Sequence, residues 1–334
     1  MTRKGGITRA RASAALAAAV VLLAGGGAAA QGWTPQKNVE IVVPNVPGGT
    51  NDKLARAIER TFIAAKLVGS TVSVVYKSGG GNQIAYAYVR QHEGDPHYLG
   101  IGASTLLTGS ITGLSKVTYS DFTPIASIFN DYIAHAVNAG SAMGGGKDLV
   151  ARMRTEPQKV SLGFSSSVGN HHHIAAGLFM KAVGATVPDL KTVIFKGSAE
   201  ALTALLGGHI ELVSTGAGNA ARHAATGKLR VLGVAAGQRL PGTLAGVPTW
   251  KEQGVNLVYG SWRTIIAPKG ITAEQVAHWE RALRKVTESA DWKAELERNY
   301  WVDYFKTGAT LRKDLEREHA DMKSILTELG LARQ

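Results

Sequence analysis

The stretch "IVVPNVPGGTNDKLARAIERTF", residues 41–62, decides how the rest of the chain is read. Ile41 to Val43 end a strand-like run, two prolines and two glycines break it, and a helical pattern follows at once. Leu54, Ile58 and Phe62 recur at four-residue spacing, which places them on one helix face. Gly48 and Gly49 let backbone approach a ligand without Cβ atoms in the way. Thr50 or Asn51 offers a helix cap, and the first-turn N–H groups with the helix dipole favour a carboxylate or phosphate. Asp52 lies in the same turn and can fill that field itself. The stretch is therefore either a capped tight turn or an anion seat.

Outward from it, strand-like runs alternate with helical ones. The strands are "VEIVVP", "TVSVVYK", "YLGIGA", "PIASIF", "IAHAVNA", "VSLGFS", "KTVIFK", "IELVST", "LRVLGVAA" and "WRTIIAP". Val276, Trp279, Leu283 and Val286 step by three and four, as do residues from Leu311 through Leu315, Met322 and Ile325 to Leu329. This alternation predicts an α/β fold with largely parallel sheets. Loop-rich texture at "NAGSAMGGGKDL" and "LPGTLAGVPTWKEQGVNLVYGS" predicts two crossings between domains, the first domain being discontinuous.

The 334 residues suffice for two domains of ordinary size. Arg3, Lys4, Arg9 and Arg11 precede the short apolar run "SAALAAAVVLLAG", and Ala28 and Ala30 are small. Residues 1–30 thus read as a secretory signal cleaved after Ala30, and no later stretch is apolar for long enough to cross a bilayer. The absence of cysteine excludes disulfides, thiolate metal sites, a cysteine nucleophile and an N-terminal lipid anchor. Of the formal charge of +12, the four leader cations leave +8 on scattered Lys and Arg. Without a dense basic run or interleaved aromatics, and with an export signal, no nucleic-acid partner is expected.

Further loops follow strand ends. "YKSGGGNQIA" can form a nest of N–H groups at Gly79 to Gly81. In "GASTLLTG", Ser104, Thr105 and Thr108 offer hydroxyls to a ligand or to a helix N-terminus. "GFSSSVGNHHHIAAGLF" presents Ser165, Ser166 and Ser167 and then Gly169 and Asn170 before a helix. His171, His172 and His173 are consecutive, so a helix points them in different directions and no metal site is expected. "STGAGNAARH" contains a G-x-G-x-x-A pattern, yet the next strand ends without the acidic residue that holds a ribose, and no cofactor is expected. "SAMGGGKD" lacks the first glycine of a phosphate-binding loop, and no G-x-S-x-G elbow exists. The shared theme is donors to an anion without a nucleophile.

"VPGGTNDKLAR" resembles the P-G-G-x-x-D-x-x-A-R opening of the tripartite tricarboxylate transporter substrate-binding proteins, also called the Bug family. The resemblance continues through "YKSGGGN", "YSDFTPIAS", "GFSSSVGNHHHIA", "FKGSAEALTALLGGHIELV", "GKLRVLGVAAGQRLPGTLAGVPTWKEQG" and "GSWRTIIAPKGI". It implies a two-domain periplasmic-binding-protein fold of type II, a flytrap with a ligand cleft between domains. Domain I would comprise 31–135 plus 262–334, and domain II 136–261. It further implies a small organic carboxylate as ligand, a two-component membrane permease as partner, a monomer, a periplasmic location and no catalysis. Carried onto this chain, Pro47, Gly48, Gly49 and Thr50 would clamp one carboxylate beside Gly80 and Gly81. Ser104 and Thr105 would line the first wall, and Ser165, Ser166, Gly169 and Asn170 would hold the other end near Thr215. Asp52 and Ser167 complete the expected lining. Tyr76, Ser78, Asn82 and Asn170 depart from the family pattern, which leaves the ligand unnamed. The competing reading is an exported serine hydrolase of small esters, using the Ser165–Ser167 loop with a neighbouring histidine.

Overall fold

The runs at 124–129 and 133–139, expected as two strands, form one continuous strand of 17 residues, β4 (Phe122–Asn138). The polar Asn130-Asp131 pair between them does not break it, because antiparallel pairing with a neighbouring strand continues through Asn130, Asp131 and Tyr132. This computed structural model describes Met1 and residues 32–333 other than 166, 167 and 196. The expected signal segment thus lies outside the described residues, Met1 apart. Contacts divide the chain into Met1–Trp33 and Thr34–Gln334, and all that follows concerns the second unit.

Strands β1 (Val39–Val43), β2 (Val72–Tyr76) and β3 (Tyr98–Gly102) alternate with helices α1 (Thr50–Ala64), α2 (Gln83–Arg90) and α3 (Thr105–Ile111). After β4 come α4 (Gly146–Thr155), β5 (Leu162–Ser165), α5 (His171–Ala182), β6 (Thr192–Phe195), α6 (Ser198–Leu206), β7 (Leu212–Gly216), α7 (Ala217–Ala224) and β8 (Leu229–Val234). The chain then runs through β9 (Gly260–Pro268), α8 (Ala273–Glu288), α9 (Ala290–Asn299), β10 (Val302–Thr307) and α10 (Gly308–Glu328).

The sheet order is β2-β1-β3-β9-β4-β7-β5-β6, with β8 and β10 also paired to β4. Pairings β1–β2, β1–β3, β5–β6 and β5–β7 are parallel. The long strands β4 and β9 are antiparallel to each other and to their neighbours, so the sheet is mixed where largely parallel pairing was expected. Residues Phe122–Tyr132 of β4 pair with β9, and Ile133–Ala136 pair with β7. β4 therefore runs through both groups of parallel strands, and the expected boundaries 135/136 and 261/262 fall inside β4 and β9. The carboxyl ends of β1, β2, β3 and β5 each lead into a loop and a helix, the place where open α/β sheets bind ligands.

Helix faces bury the residues that periodicity singled out: Leu54, Ile58 and Phe62 on α1, Trp279, Leu283 and Val286 on α8, and Leu311, Leu315, Met322 and Ile325 on α10. Strand β10 was not expected from sequence. It is a short edge strand of mostly half-buried residues, stabilised by pairing with β4. Phe129 on β4 is fully buried and stacks on Trp301, ring centroids 4.1 Å apart. Phe129→Ala should therefore cost about 3–5 kcal/mol, read as a lower urea midpoint at unchanged slope.

Candidate functional site

The first loop is a turn braced from within by Asp52. Gly48 has φ +88, Gly49 is the extended N-cap of α1, and neither Thr50 nor Asn51 caps it. The Asp52 carboxylate folds back instead. It accepts from Gly48 N at 2.7 Å and from the Tyr76 hydroxyl at 2.5 Å, with Arg56 Nε 3.6 Å away. Burial pushes Asp52 up, but Tyr76, Gly48 and Arg56 outweigh it and hold the carboxyl below its ordinary range. Asp52 thus braces Pro47-Gly48-Gly49-Thr50, and Tyr76, a departure from the family pattern, supplies part of the brace.

A chain of amides joins this loop to the next two. Asn51 Nδ2 donates to Asn45, whose own Nδ2 donates to Asn82 Oδ1 at 3.0 Å. Asn82 Nδ2 donates to Thr105 Oγ1 at 2.8 Å, and Tyr86 shares that hydroxyl at 3.1 Å. Gly80, Gly81 and Asn82 all have left-handed backbone (φ 56, 61 and 77), so the expected nest is a left-handed turn that aims Asn82 back at Asn45. Ser104 and Thr105 lie at the start of α3, and Ser104 Oγ stands 3.5 Å from His171 Nδ1, the link between the third and fourth loops.

In the fourth loop Asn170 is spent on structure. Its Oδ1 accepts from the amides of His172 and His173, each at 3.0 Å, and its Nδ2 donates to the Ser165 carbonyl. Gly169, at φ +74, donates its N–H to His173 Nδ1 at 3.1 Å. Ser165 Oγ bonds Ser198 Oγ at 3.0 Å. Ser166 and Ser167 lie outside the described residues. Thr215 is buried on β7, 3.5 Å from Asn219 Nδ2. The histidines diverge only in part: the rings of His171 and His172 lie 4.1 Å apart, with His171 also facing Ser104 and His172 buried with Nδ1 unpartnered, while His173 points away, stacks on Phe164 and holds Gly169. Burial depresses all three, His172 to about 3 and His173 to about 4, so they are neutral near pH 7. Among the described residues, no three His, Asp or Glu side chains converge as a metal-ligand set.

Sequence reasoning missed the charges. Arg263, on β9, is 6 % exposed. Its Nε donates to Asn51 Oδ1 at 2.6 Å, and its Nη1 donates to Ser261 O, Ser261 Oγ and Trp262 O. Among the described residues no hydrogen-bond acceptor serves Nη2. Burial lowers Arg263 and Asp131 opposes that, so the guanidinium stays charged at neutral pH. Asp131 stands over Gly216, where a Cβ would come within 2.6 Å of Oδ2. Burial raises Asp131 to about 6 against the pull of Arg263, Arg222, the Ala217 amide and Lys53. Lys53 itself donates to Asn299 Oδ1 at 2.6 Å. The one signal for Arg263 and Asp131 was a lone charge within an apolar run.

This arrangement presents a buried cation, hydroxyls and loop amides, which suits an anion. For Ser165, the described triplet serine, it offers no histidine partner. A family model described as "Tripartite tricarboxylate transporter family receptor" matches residues 54–331. Protein BugT of Bordetella pertussis is 24% identical over 260 residues, covering 76% of this chain and 78% of its own. A TctC solute binding protein from Polaromonas superposes with TM-score 0.74 at 28% identity, covering 88% of this chain and 99% of that one. The structure of R. palustris Rpa4515 with adipate superposes with TM-score 0.76 at 25% identity, covering 89% and 99%.

The histidines set an acid limit. His135, His172 and His173 are depressed to about 4, 3 and 4 from an ordinary 6.5, so the unfolded chain binds protons that the fold refuses. Stability is then full above about pH 6.5 and lost as pH falls toward about 4, while Asp131, raised, contributes in the opposite sense. Urea midpoints should decline over that window, and His172→Gln should make the decline shallower.

Proposed function

The chain belongs to the tripartite tricarboxylate transporter family of receptors, and from that premise we propose that it captures a small organic carboxylate. It is a solute-binding receptor of periplasmic-binding-protein fold and not an enzyme. The observation that carries the ligand class is the buried Arg263 guanidinium, which adjoins the amide chain of the first three loops. The carboxylate ligand of the R. palustris neighbour supports the same class.

In this reading β4 and β9 connect two lobes, 31–135 with 262–334 and 136–261, and the ligand lies between them. One carboxylate takes Arg263 Nη2 and the amides of Gly49 and Thr50, with Ser104 beside them. Gly80, Gly81 and Thr105 back that wall. The far end of the ligand meets the Ser165–Ser167 turn, Gly169 and Thr215. Asp52 and Asn170 act indirectly, by fixing the loops. A ligand touching both lobes favours their closed arrangement by its preference for it. Export with removal of residues 1–30, a monomeric state and delivery to a two-component permease complete the proposal.

A thermal-shift panel of adipate, malate, citrate and benzoate tests it. At least one acid should raise the melting temperature in proportion to the logarithm of its concentration. Arg263→Gln should weaken the best acid about 10- to 100-fold, the worth of a charge-assisted hydrogen bond of about 1.5–3 kcal/mol. Silence across the panel, or full affinity in Arg263→Gln, would remove the reading.

A further inference from the structure

Strands β4 and β9 have two faces, and the Arg263 network occupies one of them. In their register Phe129 pairs with Arg263, Asn130 with Trp262, Asp131 with Ser261 and Tyr132 with Gly260. Directly opposed residues in an antiparallel pair share a face, and successive residues alternate. Phe129, Arg263, Asp131 and Ser261 therefore lie on the network face, and Asn130, Trp262, Tyr132 and Gly260 on the other. On that second face is a half-open cavity of about 550 Å³, flanked by α5 and α10. None of the four donor loops lines it.

The wall of this cavity holds under-served polar atoms. The Tyr259 hydroxyl is buried without a hydrogen-bond partner, and Asn130 and Trp262, 9% and 5% exposed, have only Tyr132 and Glu318 to answer their side chains. Such atoms leave hydrogen bonds for a guest to complete. Glu318 of α10 faces the same space, beside Trp262 and Tyr259. Tyr132, Tyr259 and Trp262 line the cavity, and an aromatic face attracts a cation; the ring of Tyr304, also in the lining, already carries Lys306 Nζ at 4.2 Å. Ile174, Leu178 and Met322 supply an apolar side. The two cations at the rim are already engaged, Lys181 with Glu328 at 2.5 Å and Arg317 with Asp314 at 2.9 Å.

We propose that this cavity is a second binding site, for a small organic ammonium with an apolar body. Its head lies between the Glu318 carboxylate, Asn130 Oδ1 and the aromatic rings, and its body against Ile174, Leu178 and Met322. An anionic guest would face Glu318 and Asp321, so the site is orthogonal to the carboxylate site across the strands.

The titration of Glu318 supports this geometry. Burial raises it to about 8; Trp262 and Arg317 pull it down, while Asp314 and Asp321 push it up. Lys181 of α5, Tyr132 of β4, Tyr259 and Tyr304 of β10 also line the cavity, and Lys306 of β10 lies against Tyr304. Near pH 7 the carboxyl is therefore mostly protonated, and an ammonium that ionises it should release about one proton. The Trp262 and Tyr259 donors then gain an anionic acceptor.

The test is titration calorimetry of the full chain with phenethylammonium chloride, in two buffers of different ionisation enthalpy, alongside 2-phenylethanol. The expected result is one guest per chain and release of about one proton at pH 7. Affinity should rise from about pH 6 to about pH 8.5 and exceed that of the alcohol at least tenfold. Glu318→Gln should lose about tenfold or more, and Leu178→Trp, which fills the cavity, should abolish binding. Both variants are compared at temperatures where circular dichroism shows them folded. No binding at concentrations on the order of 10 mM overturns the proposal. So does equal affinity for amine and alcohol, or full affinity retained in Glu318→Gln.

Discussion

The desolvation of one guanidinium organises this molecule. Removing a charge from water costs several kcal/mol even after relaxation, so a buried arginine persists only where its surroundings answer it. Arg263 is answered by Asn51 from the first loop and by the carbonyls and hydroxyl of its own strand. Asn51 in turn is oriented by Asn45, Asn45 by Asn82, and Asn82 by Thr105. Three loops that are distant in sequence are thus held in register by one cation. Its field also reaches His171 and His172, adding to the burial that keeps them neutral.

Strands β4 and β9 give that charge its place. Only an antiparallel pair shared by both groups of parallel strands can carry residues to the point where four loops converge. Alternation along the pair then separates two chemistries by the thickness of a strand. On one side are a cation, asparagines and hydroxyls; on the other are four aromatic rings and a carboxylic acid. A substitution that slipped the register by one residue would exchange these faces entirely.

Much of the architecture was legible because it is local. The strand-to-helix loops and the buried faces of α1, α8 and α10 follow from periodicities that a short window contains. That His173 points away from its two neighbours follows from helical geometry, whereas the 4.1 Å approach of the His171 and His172 rings does not. What was not legible depends on pairing across the chain. The interval Asn130-Asp131-Tyr132 looks like a break until β9 pairs with it, and β10 is a strand only because β4 is its neighbour. Arg263 and Asp131 read as isolated charges in apolar runs, since nothing nearby in sequence says which face they occupy or that Asn51, more than two hundred positions away, meets the guanidinium. The cap of α1 was misassigned to Thr50 or Asn51 for a related reason: Asn51 is recruited by Arg263, so the cap position passes to Gly49.

Asp52 and Asn170 sharpen the logic of the site. Both sit where helix-start amides would otherwise face a ligand, and both use their side chains to satisfy backbone N–H groups. A receptor whose loop amides were all free would owe its affinity to any anion that fitted, because backbone donors distinguish little beyond charge. Here the intramolecular acceptors remove part of that generic attraction. In the proposed site the discriminating contacts fall to Arg263 Nη2, the Ser104 hydroxyl and the few amides that Asp52 and Asn170 do not reach. On that proposal selectivity rests on where a guest carries its charge relative to one fixed guanidinium, since a planar, buried cation with most of its donors committed accepts an oxygen from a narrow range of directions.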